Sequence, residues 1–389
     1  MSKGTILYVG GFELPDKNAA AHRVLSNGKA MRELGYDVVF VDVDKTLRFD
    51  TDISTTLRNI QGFDCWSVPY PEKIKDWLSF LTCISFIKII ENKYKDIKAI
   101  TAYNYPSIAL YNLKKYSAKH DIKILADCTE WYSTKGTNFL FMLIKGIDSF
   151  LRMRIIQKRL DGLIVISTYL ENYYKNNRNV LRVPPLVDIN EAKWDVYQRN
   201  TTNDKLKFSY SGSPGKNKDK INKLVEVLYS LKEYKNYELK IIGLTVDGYL
   251  DYYPEHKEML LALGNRIVFM GRLSHQKSID EVKQSDFSIF IRERNRLTNA
   301  GFPTKFVESI SCGIPVITTK TSDLEMYLLD DFNGFYLDED ISESISKIKE
   351  ILQLTRDEVS RLKINCVNSL EFNFKSYVGN FDDFFKKIM

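Results

Sequence analysis

The sequence is poor in the residues that bind metals or form disulfide frameworks. Its 389 residues include four histidines and five cysteines, and no two cysteines form a C-x-x-C pair. An odd number of scattered cysteines is typical of reduced thiols in a cytoplasmic protein. The histidines also lack the spacing of a metal site. We therefore expect a cytoplasmic protein without a bound metal or other cofactor.

Concentrated charge of one sign is also lacking. The formal net charge of +6 is spread over 389 residues, with no basic stripe. Because nucleic-acid binding usually needs such a stripe, we expect no nucleic-acid partner. A modest positive excess is compatible with weak attraction to an anionic membrane surface or to phosphorylated ligands.

Apolar runs long enough to cross a bilayer, which takes about 20 residues, are missing as well. The first residues, MSKGTILYVGG, lead directly into a predicted strand, so we expect no signal peptide. The most apolar window, residues 77–90, predicts a buried helix, and an interfacial helix is the alternative. The basic amphipathic pattern at residues 138–159 leaves a choice between core packing with a basic outer face and peripheral contact with a membrane.

What the sequence does contain is a regular alternation of strand and helix patterns. An apolar run at residues 5–9 is followed by two glycines, a helical pattern at 19–34 and a strand at 37–43. This βαβ unit predicts a parallel sheet. The alternation restarts after a polar connector at residues 191–205. Further strands are predicted at residues 97–103, 122–127, 162–167, 206–211, 238–243, 266–270, 286–291, 314–319 and 334–337.

Two consecutive halves of this kind predict an α/β protein with two Rossmann-like domains whose parallel sheets face a central cleft. We place the N-terminal domain at residues 1–190 and the C-terminal domain at residues 206–371. The helical tail, residues 372–389, is expected to return to the N-terminal domain. Ligands of such sheets bind at the carboxyl ends of the strands, so residues that follow predicted strands are the site candidates.

The stretch LTNAGFPTKFVESISCGIPVITT, residues 297–319, predicts a short helix followed by a buried strand. Pro303 suits the first helical position and Gly313 suits the helix end. A helical wheel separates an apolar arc from a polar arc. The apolar arc contains Phe306, Val307 and Ile310, and the polar arc contains Thr304, Lys305, Glu308 and Cys312.

The N-terminus of this helix, entered through Gly301 and Phe302, is a candidate site for an anion such as a diphosphate. Its backbone N–H groups point outward and the helix dipole is positive there. Glu308, one turn further along, is placed to accept hydrogen bonds from a sugar diol such as a ribose. The alternative is an exposed ion pair between Lys305 and Glu308, which are three residues apart.

The loop after the first strand offers a second set of candidates. Gly10 and Gly11 allow the backbone to approach a ligand closely. His22 and Arg23 lie in the first turns of the following helix, on the side expected to face the cleft. The alternative for His22 is a packing role.

Residues after three later strands complete the set. Asp127 and Glu130 are polar groups at the carboxyl end of a strand and could accept a proton, or cap the next helix. Arg292 could meet a phosphate, or belong to a salt-bridged loop. Lys216 and Lys218 could bind an anion, or form a solvated basic turn.

The segment AGFPTKFVESISCGIPVITT, residues 300–319, resembles the nucleotide-sugar signature of family-4 retaining glycosyltransferases with the GT-B fold, the glycosyl transferases group 1. Other segments are similar to the same family, in the same order along nearly the whole chain. They are ILYVGGFELPDKNAAAHRV, RLDGLIVIS, VPPLVD, FSYSGSPGKNKD and RIVFMGRLS.

The resemblance implies roles for the residues that match the family motif. The second glutamate of the E-x7-E motif falls on Glu308, which is implied to bind the donor ribose. Ala300 stands where the family has its first glutamate. The backbone at Gly301, Phe302 and Pro303 matches the loop that contacts the donor sugar and diphosphate.

In the opening of the donor domain, Gly212 and Lys218 match a glycine and a lysine of the family, and Ser213 replaces its arginine. Lys216 is a candidate for the missing positive charge. The candidates therefore fall into three groups. The catalytic candidates are Asp127, Glu130 and Lys218; the donor-binding ones are Gly11, Gly212, Ser213, Lys216, Lys218, Arg292, Gly301, Phe302, Pro303, Thr304, Lys305 and Glu308; the acceptor-side ones are Gly10, His22 and Arg23.

The resemblance implies transfer of a sugar from a nucleotide diphosphate sugar to an acceptor hydroxyl, with retention of configuration and no obligatory metal. It also implies a place in bacterial surface-polysaccharide or glycoconjugate assembly, with a glycan or lipid-linked acceptor. The alternatives are a nucleotide-sugar epimerase or phosphorylase, and a non-catalytic sugar-nucleotide-binding subunit. A nicotinamide dehydrogenase is disfavoured because the G-x-G-x-x-G fingerprint is absent.

Overall fold

The computed structural model of the protein describes residues 2–82, 84–131, 139–196, 205–214 and 218–389, with residues 139–141 described by their backbone alone. The chain divides into two compact units. Unit 1 comprises Met1–Leu186 and Phe374–Met389, and unit 2 comprises Val187–Asn373. The chain therefore leaves unit 1, forms unit 2 and then returns to unit 1.

Unit 1 contains an eight-stranded sheet in the order β3-β4-β2-β1-β5-β6-β7-β8. All neighbours are parallel except β3 and β4, which pair antiparallel. In the register of the central strands, Leu7 lies opposite Val39 and Ile100. The strands are β1 Thr5–Gly10, β2 Asp37–Asp44, β3 Arg58–Ile60, β4 Phe63–Pro69, β5 Ile97–Tyr103, β6 Lys123–Cys128, β7 Gly162–Val165 and β8 Val180–Arg182.

Unit 2 contains a six-stranded parallel sheet in the order β11-β10-β9-β12-β13-β14. Its central strands are buried on both faces, as expected when helices cover a parallel sheet. The strands are β9 Leu206–Ser211, β10 Tyr237–Ile242, β11 Ile267–Gly271, β12 Phe287–Phe290, β13 Val316–Thr319 and β14 Gly334–Leu337.

Helices connect the strands in both units. Those of unit 1 before the crossing are α1 Ala19–Glu33, α2 Ile74–Thr82, α3 Ser85–Glu91, α4 Ser107–Lys119, α5 Phe139–Phe150 and α6 Thr168–Tyr173. Those of unit 2 are α7 Ile221–Ser230, α8 Val246–Leu250, α9 Lys257–Leu263, α10 His275–Lys283, α11 Arg296–Ala300, α12 Thr304–Ser311, α13 Ile341–Ile351 and α14 Arg356–Val367. The last helix, α15 Val378–Ile388, belongs to unit 1.

Local chemistry explains how α1 lies on the sheet. The Asn18 side chain caps its N-terminus by accepting a hydrogen bond from the backbone N–H of Ala21 at 3.1 Å. Gly28 lets the helix approach the strands, because a Cβ on this residue would lie 2.7 Å from the Phe40 ring. Gly35, with φ of +93°, then turns the chain into β2.

The C-terminal helix α15 completes the core of unit 1. Phe381, Phe384 and Phe385 are all buried, and Phe385 also meets the Tyr36 ring at 5.2 Å. Gly162 at the start of β7 makes room for this helix, since a Cβ there would lie 2.5 Å from Ile388. The first and last parts of the described chain thus share one core.

The structure differs from the sequence prediction around the most apolar window. Residues 77–90 were expected to form one buried helix, and this is wrong for α2, where Trp77 and Leu78 are 37% and 58% exposed. Only α3 is buried, through Phe86 and Ile87. The predicted helix at residues 138–159 is α5 followed by a π-helical segment, Leu151–Ile156, and a short 3₁₀ segment. Strands β3 and β4 were not predicted.

Over the residues that the structure describes, every helix falls short of the length and apolarity that a bilayer crossing needs.

Candidate functional site

Glycines bring two strand ends together at the carboxyl edge of the unit 2 sheet. Gly212 follows β9 with φ of +138°, and its N–H donates to the carbonyl of Ile242 at 3.0 Å. Gly243 follows β10, and a Cβ on it would lie 2.3 Å from the carbonyl oxygen of Gly212. Only glycine fits this close approach, so backbone groups rather than side chains form this part of the edge.

The loop that leads into α12 is held by the chain on either side of it. Asn295 and Thr298 form a capping box at the start of α11. The Ser322 hydroxyl donates to the carbonyl of Gly301, and the Ser322 N–H donates to Asn299 Oδ1 at 3.1 Å. Helix α12 begins at Thr304, so Pro303 is its N-cap and not its first helical residue as predicted. These contacts fix Gly301–Pro303 before the N-terminus of α12.

Lys305 is buried, which contradicts the alternative of an exposed ion pair with Glu308. Only 8% of the residue is exposed, and its ammonium donates to Asp219 Oδ2 at 2.7 Å. The same nitrogen lies 3.7 Å from the centre of the Tyr210 ring, a cation–π contact. Cys312 is also buried. Two members of the polar arc, Lys305 and Cys312, therefore pack against other residues, whereas Thr304 and Glu308 stay partly exposed.

Asp219 binds a second cation. Its Oδ1 accepts a hydrogen bond from Arg292 Nε at 2.5 Å, and its Oδ2 accepts one from the Tyr210 hydroxyl at 2.7 Å. Arg292 is itself only 4% exposed. We call Tyr210, Asp219, Arg292 and Lys305 the Asp219 cluster. It contains one carboxylate and two cations, and Arg292 is part of the salt-bridged arrangement that was its predicted alternative.

Burial and charge act against each other in the Asp219 cluster. Burial alone would raise the pKa of the Asp219 carboxyl, but the charges of Lys305 and Arg292 lower this pKa well below its usual range. Burial lowers the pKa of the Lys305 ammonium to about 8, while the charge of Asp219 acts to raise it. Asp219 is therefore ionised at neutral pH, and it favours the protonated form of Lys305.

Glu308 keeps a partly exposed carboxylate near the start of α10. Its Oε1 lies 3.3 Å from His275 Nε2, and 21% of its side chain is exposed. Thr304, one turn earlier, is also partly exposed. The position of the family's first glutamate is occupied by Ala300, which has no carboxylate and is fully buried. His275 was not among the sequence candidates, because a single histidine at a helix start carries no motif.

The remaining donor candidates of unit 2 occupy the loop after β9 and the α12 entry. Ser213 and Lys218 are exposed, and Lys216 lies outside the described residues. The Phe302 side chain is buried against Tyr327 and Phe372, so only the backbone of this residue is offered at the loop.

In unit 1, the glycine loop after β1 is held by an aspartate. The Asp42 carboxylate accepts hydrogen bonds from the backbone N–H groups of Phe12, Glu13 and Leu14 at 2.9, 2.9 and 2.6 Å. Burial raises the pKa of Asp42, although these hydrogen bonds act to lower it. Gly10 is buried within the sheet, whereas Gly11 is exposed on the loop.

Asp127 and Arg23 were predicted as a catalytic and an acceptor-side residue, and their placement argues against both roles. Asp127 is fully buried and Arg23 is 2% exposed. Arg23 donates to Asp127 at 2.8 and 3.0 Å, and Tyr8 donates its hydroxyl to the same carboxylate. The two charges pair with each other inside the core, so neither side chain can contact an acceptor substrate.

The other unit 1 candidates are more accessible. Glu130, three residues after Asp127, is exposed, and His22 in α1 is half-buried. Glu130 is therefore the carboxylate left at the carboxyl end of β6 that a ligand can reach.

The described residues contain no group of three or more His, Cys, Asp or Glu side chains arranged to hold a metal ion.

Comparison with known proteins finds a family match in unit 2. Residues 194–365 match the family model described as glycosyl transferases group 1. The match spans nearly all of unit 2 and includes the Asp219 cluster and Glu308.

Solved structures show the same fold over the whole chain. Sucrose-phosphate synthase from Thermosynechococcus elongatus is similar with a TM-score of 0.72 and 16% identity, covering 99% of both chains. The Anabaena protein HepE in complex with UDP and glucose is similar with a TM-score of 0.65 and 14% identity, covering 98% of this chain and 99% of that one. The predicted GT-B fold with two Rossmann-like domains is confirmed.

A curated relative points to the same class. An uncharacterized glycosyltransferase of Methanocaldococcus jannaschii is 21% identical, over 74% of this chain and 82% of its own length. Together with the family match, these findings support a glycosyltransferase of group 1 with the GT-B fold.

Proposed function

We propose that the protein is a retaining glycosyltransferase that moves a sugar, in the simplest case a hexose, from a nucleotide diphosphate sugar to an acceptor hydroxyl. Its place is surface-polysaccharide or glycoconjugate assembly at the cytoplasmic face of the membrane. The matched family, the GT-B fold and the composition of the unit 2 edge support this proposal.

The observation that carries the proposal is the gathering of diphosphate-binding features at one edge. The N-terminus of α12 follows the fixed loop Gly301–Pro303, and Lys305 in its first turn contacts the loop after β9 through Asp219. A helix N-terminus and nearby cations stabilise the charge that develops on a leaving diphosphate. Glu308, one turn on, is placed to accept hydrogen bonds from the ribose hydroxyls.

The donor is tested with a panel of nucleotide sugars. Because the HepE structures contain UDP and UDP-glucose, the panel starts with UDP sugars and continues with GDP and ADP sugars. A ligand that binds the native state raises the unfolding temperature by mass action. A panel in which no nucleotide sugar shifts the unfolding temperature would overturn the proposal.

The role of Glu308 is tested by Glu308→Ala. Losing hydrogen bonds to a charged group costs about 1.5–3 kcal/mol, so we expect roughly 10- to 100-fold weaker donor binding by calorimetry. The fold should be retained, since Glu308 is partly exposed. Glu281→Ala is the matched control on α10, since Glu281 binds Lys240 and not the site. Unchanged donor affinity in Glu308→Ala would sink the assignment.

The requirement for an acceptor distinguishes a transferase from the alternative functions. A transferase consumes labelled donor rapidly only when an acceptor is present, whereas an epimerase converts the donor alone. Tight donor binding without turnover on any acceptor would instead indicate the sugar-nucleotide-binding subunit. Nuclear magnetic resonance of the product reports whether the anomeric configuration is retained. Activity that persists in EDTA would agree with the proposed lack of an obligatory metal.

We assign proton acceptance on the acceptor side to Glu130. Of the two carboxylates at the carboxyl end of β6, Asp127 is buried and Glu130 is exposed. A general base has to contact the hydroxyl that it deprotonates, which favours Glu130. Glu130→Gln should lower kcat by at least tenfold while leaving donor binding unchanged. A kcat equal to that of the wild type would remove Glu130 from the mechanism.

Peripheral membrane contact is supported by three neighbouring helices of unit 1. Asn112 of α4 donates to the carbonyl of Leu81 in α2 at 3.0 Å, and Asp148 of α5 accepts from the backbone N–H of Ser107 in α4 at 2.6 Å. These linked helices carry large apolar side chains that are 37–81% exposed. We call these side chains the apolar face: Ile74, Trp77, Leu78, Ile108, Tyr111, Leu143, Ile144, Ile147 and Phe150.

Cations lie among the aromatic residues of the apolar face. Lys115 is 4.6 Å from the centre of the Tyr111 ring, and Arg154 is 5.3 Å from that of Phe150. Apolar side chains interleaved with cations suit the interface of an anionic bilayer. Vesicles containing phosphatidylglycerol should therefore bind the protein more strongly than neutral phosphatidylcholine vesicles.

The vesicle experiment has a matched control. Leu78→Ser should weaken co-sedimentation, whereas Leu261→Ser should not, because Leu261 is 66% exposed, compared with 58% for Leu78, but lies on α9 of unit 2. Equal loss in both variants, or self-association of the protein without vesicles, would count against membrane contact.

A further inference from the structure

We propose that Asp219 is a positioning residue of the donor site: its carboxylate holds the Lys305 ammonium and the Arg292 guanidinium as a pair of cations ready to meet the donor diphosphate. The inference rests on the proposed function, because it assigns the diphosphate of that donor as the ligand of the pair. Asp219 itself would not contact the substrate.

The geometry shows that one side chain orients both cations. Asp219 Oδ1 is 2.5 Å from Arg292 Nε, and its Oδ2 is 2.7 Å from Lys305 Nζ. The Arg292 backbone is also fixed, since its N–H donates to Thr319 Oγ1 at 2.9 Å. The cations are therefore held in place without a ligand, which lowers the entropy lost on binding.

The pair lies beside the open backbone of the glycine edge. A Cβ on Gly212 would be 3.0 Å from Lys305 Nζ, so the ammonium lies directly against this glycine. About a tenth of the Lys305 side chain remains exposed, compared with 3% for Asp219. A ligand at the Gly212 edge could thus reach the ammonium while the carboxylate stays behind it.

The charge balance favours an anion with more than one negative charge. Two cations face a single carboxylate, which leaves one positive charge in excess. Lys218 on the loop adds to the field at Lys305.

Asp219 also controls the protonation of Lys305. Burial lowers the pKa of Lys305 to about 8, and Arg292 and Lys218 act in the same direction. Asp219 is the opposing charge, and the Tyr210 hydroxyl donates to it and stays neutral because its own pKa is raised well above the usual value by burial and by Asp219. Without Asp219 the lysine would lose its proton near neutral pH.

The test uses inorganic pyrophosphate, which probes a diphosphate site without a nucleoside, and the kcat/KM for the donor identified by the panel. Both are measured from pH 6 to pH 9.5. In the wild type we expect affinity and kcat/KM to fall as the pH rises through about 8, since only the protonated lysine attracts the ligand. Asp219→Asn should move this fall to lower pH by one unit or more.

Two lysine variants define the reference profiles. Lys305→Arg keeps a charge that does not titrate in this range, so its profile should contain only the titration of pyrophosphate itself. Lys305→Met should reduce affinity below pH 8 and approach the wild type at pH 9.5, where Lys305 is largely neutral. Asp251→Asn, an exposed aspartate of unit 2, is the matched control and should follow the wild type.

The outcomes separate this inference from the proposed function. If the wild type binds neither pyrophosphate nor any nucleotide sugar, both fail. If the wild type binds and transfers but Asp219→Asn shows the same pH midpoint, only the role of Asp219 is overturned. Should Asp219→Asn not fold, Asp219→Glu decides: we expect an unshifted midpoint with at least tenfold weaker binding, and wild-type affinity would overturn the positioning role.

Discussion

Each unit buries a carboxylate against cations, but the two sites are balanced differently. In unit 1, Asp127 meets a single cation, Arg23, and both side chains are almost completely buried at 0% and 2% exposure. In unit 2, Asp219 meets two cations, and one of them, Lys305, keeps a tenth of its side chain exposed. The first site is neutral and closed, whereas the second carries surplus positive charge at an open edge.

This difference agrees with the separate roles proposed for the two sites, a structural pair in unit 1 and a diphosphate site in unit 2. Burial disfavours the charged form of Arg23, but the charge of Asp127 outweighs it and the pKa of Arg23 is raised. Arg23 also donates to the carbonyls of Val183 and Pro184, so its donors are used within the core. In the Asp219 cluster burial instead lowers the pKa of one cation, Lys305, to about 8.

The largest expected effect is from removing the unit 1 cation. Arg23→Ala leaves the Asp127 charge buried without its partner, so unit 1 should lose about 3–5 kcal/mol of stability. Hydrogen exchange resolved by peptide should show this loss in unit 1. The control is Arg48→Ala, because Arg48 and Asp50 are 84% and 71% exposed and an exposed pair contributes at most about 1 kcal/mol. Equal effects of the two variants would contradict a closed structural pair.

The next effect is a pH dependence specific to unit 2. The pKa of Lys305 is about 8 in the folded protein, against an ordinary value of 10.5. Between these values the unfolded chain binds more protons, so this residue makes stability rise with pH. From pH 7.5 to pH 10, the stability of the wild type relative to Lys305→Met should increase by about 2 kcal/mol. The stability of both proteins is measured by urea unfolding. If the stability of the wild type relative to Lys305→Met stays constant or decreases over this pH range, Lys305 titrates normally.

The smallest effect compares the two tyrosines that donate to the buried carboxylates. Tyr8 donates to Asp127 and Tyr210 donates to Asp219 at 2.7 Å. Because Asp127 has only one cation, Tyr8→Phe should cost about 1.5 kcal/mol, and Tyr210→Phe should cost less than about 1 kcal/mol. Thermal unfolding of both variants measures this order. The reverse order would mean that the second cation does not compensate for the lost hydrogen bond.

Much of the fold was predictable because its signals are local. Strands β5, β9 and β14 have the predicted bounds, since each is an apolar run next to turn residues. In α12, Phe306, Val307 and Ile310 are buried as the helical wheel predicts. Strand β4 was missed because its sequence, FDCWSVP, mixes polar and apolar residues and ends in proline.

The candidate site was less predictable because its contacts join distant residues. Asp219 and Lys305 are 86 residues apart, and Tyr8 and Asp127 are 119 apart. No spacing rule connects such pairs, so the partner that the sequence suggested for Lys305 was Glu308, its neighbour on the helix. Asp127 was placed correctly at the carboxyl end of a strand, but nothing in the sequence indicates that Arg23 covers it.

The return of Phe374–Met389 to unit 1 makes that unit discontinuous, with all of unit 2 inserted into it. During synthesis, the ribosome therefore releases residues 1–186 long before the aromatic face of α15 exists to cover α1. Unit 2, which is continuous, can complete its own core first. A nascent chain stopped at residue 373 should consequently contain a completed unit 2 and a unit 1 whose apolar surface is open, the kind of surface that chaperones bind.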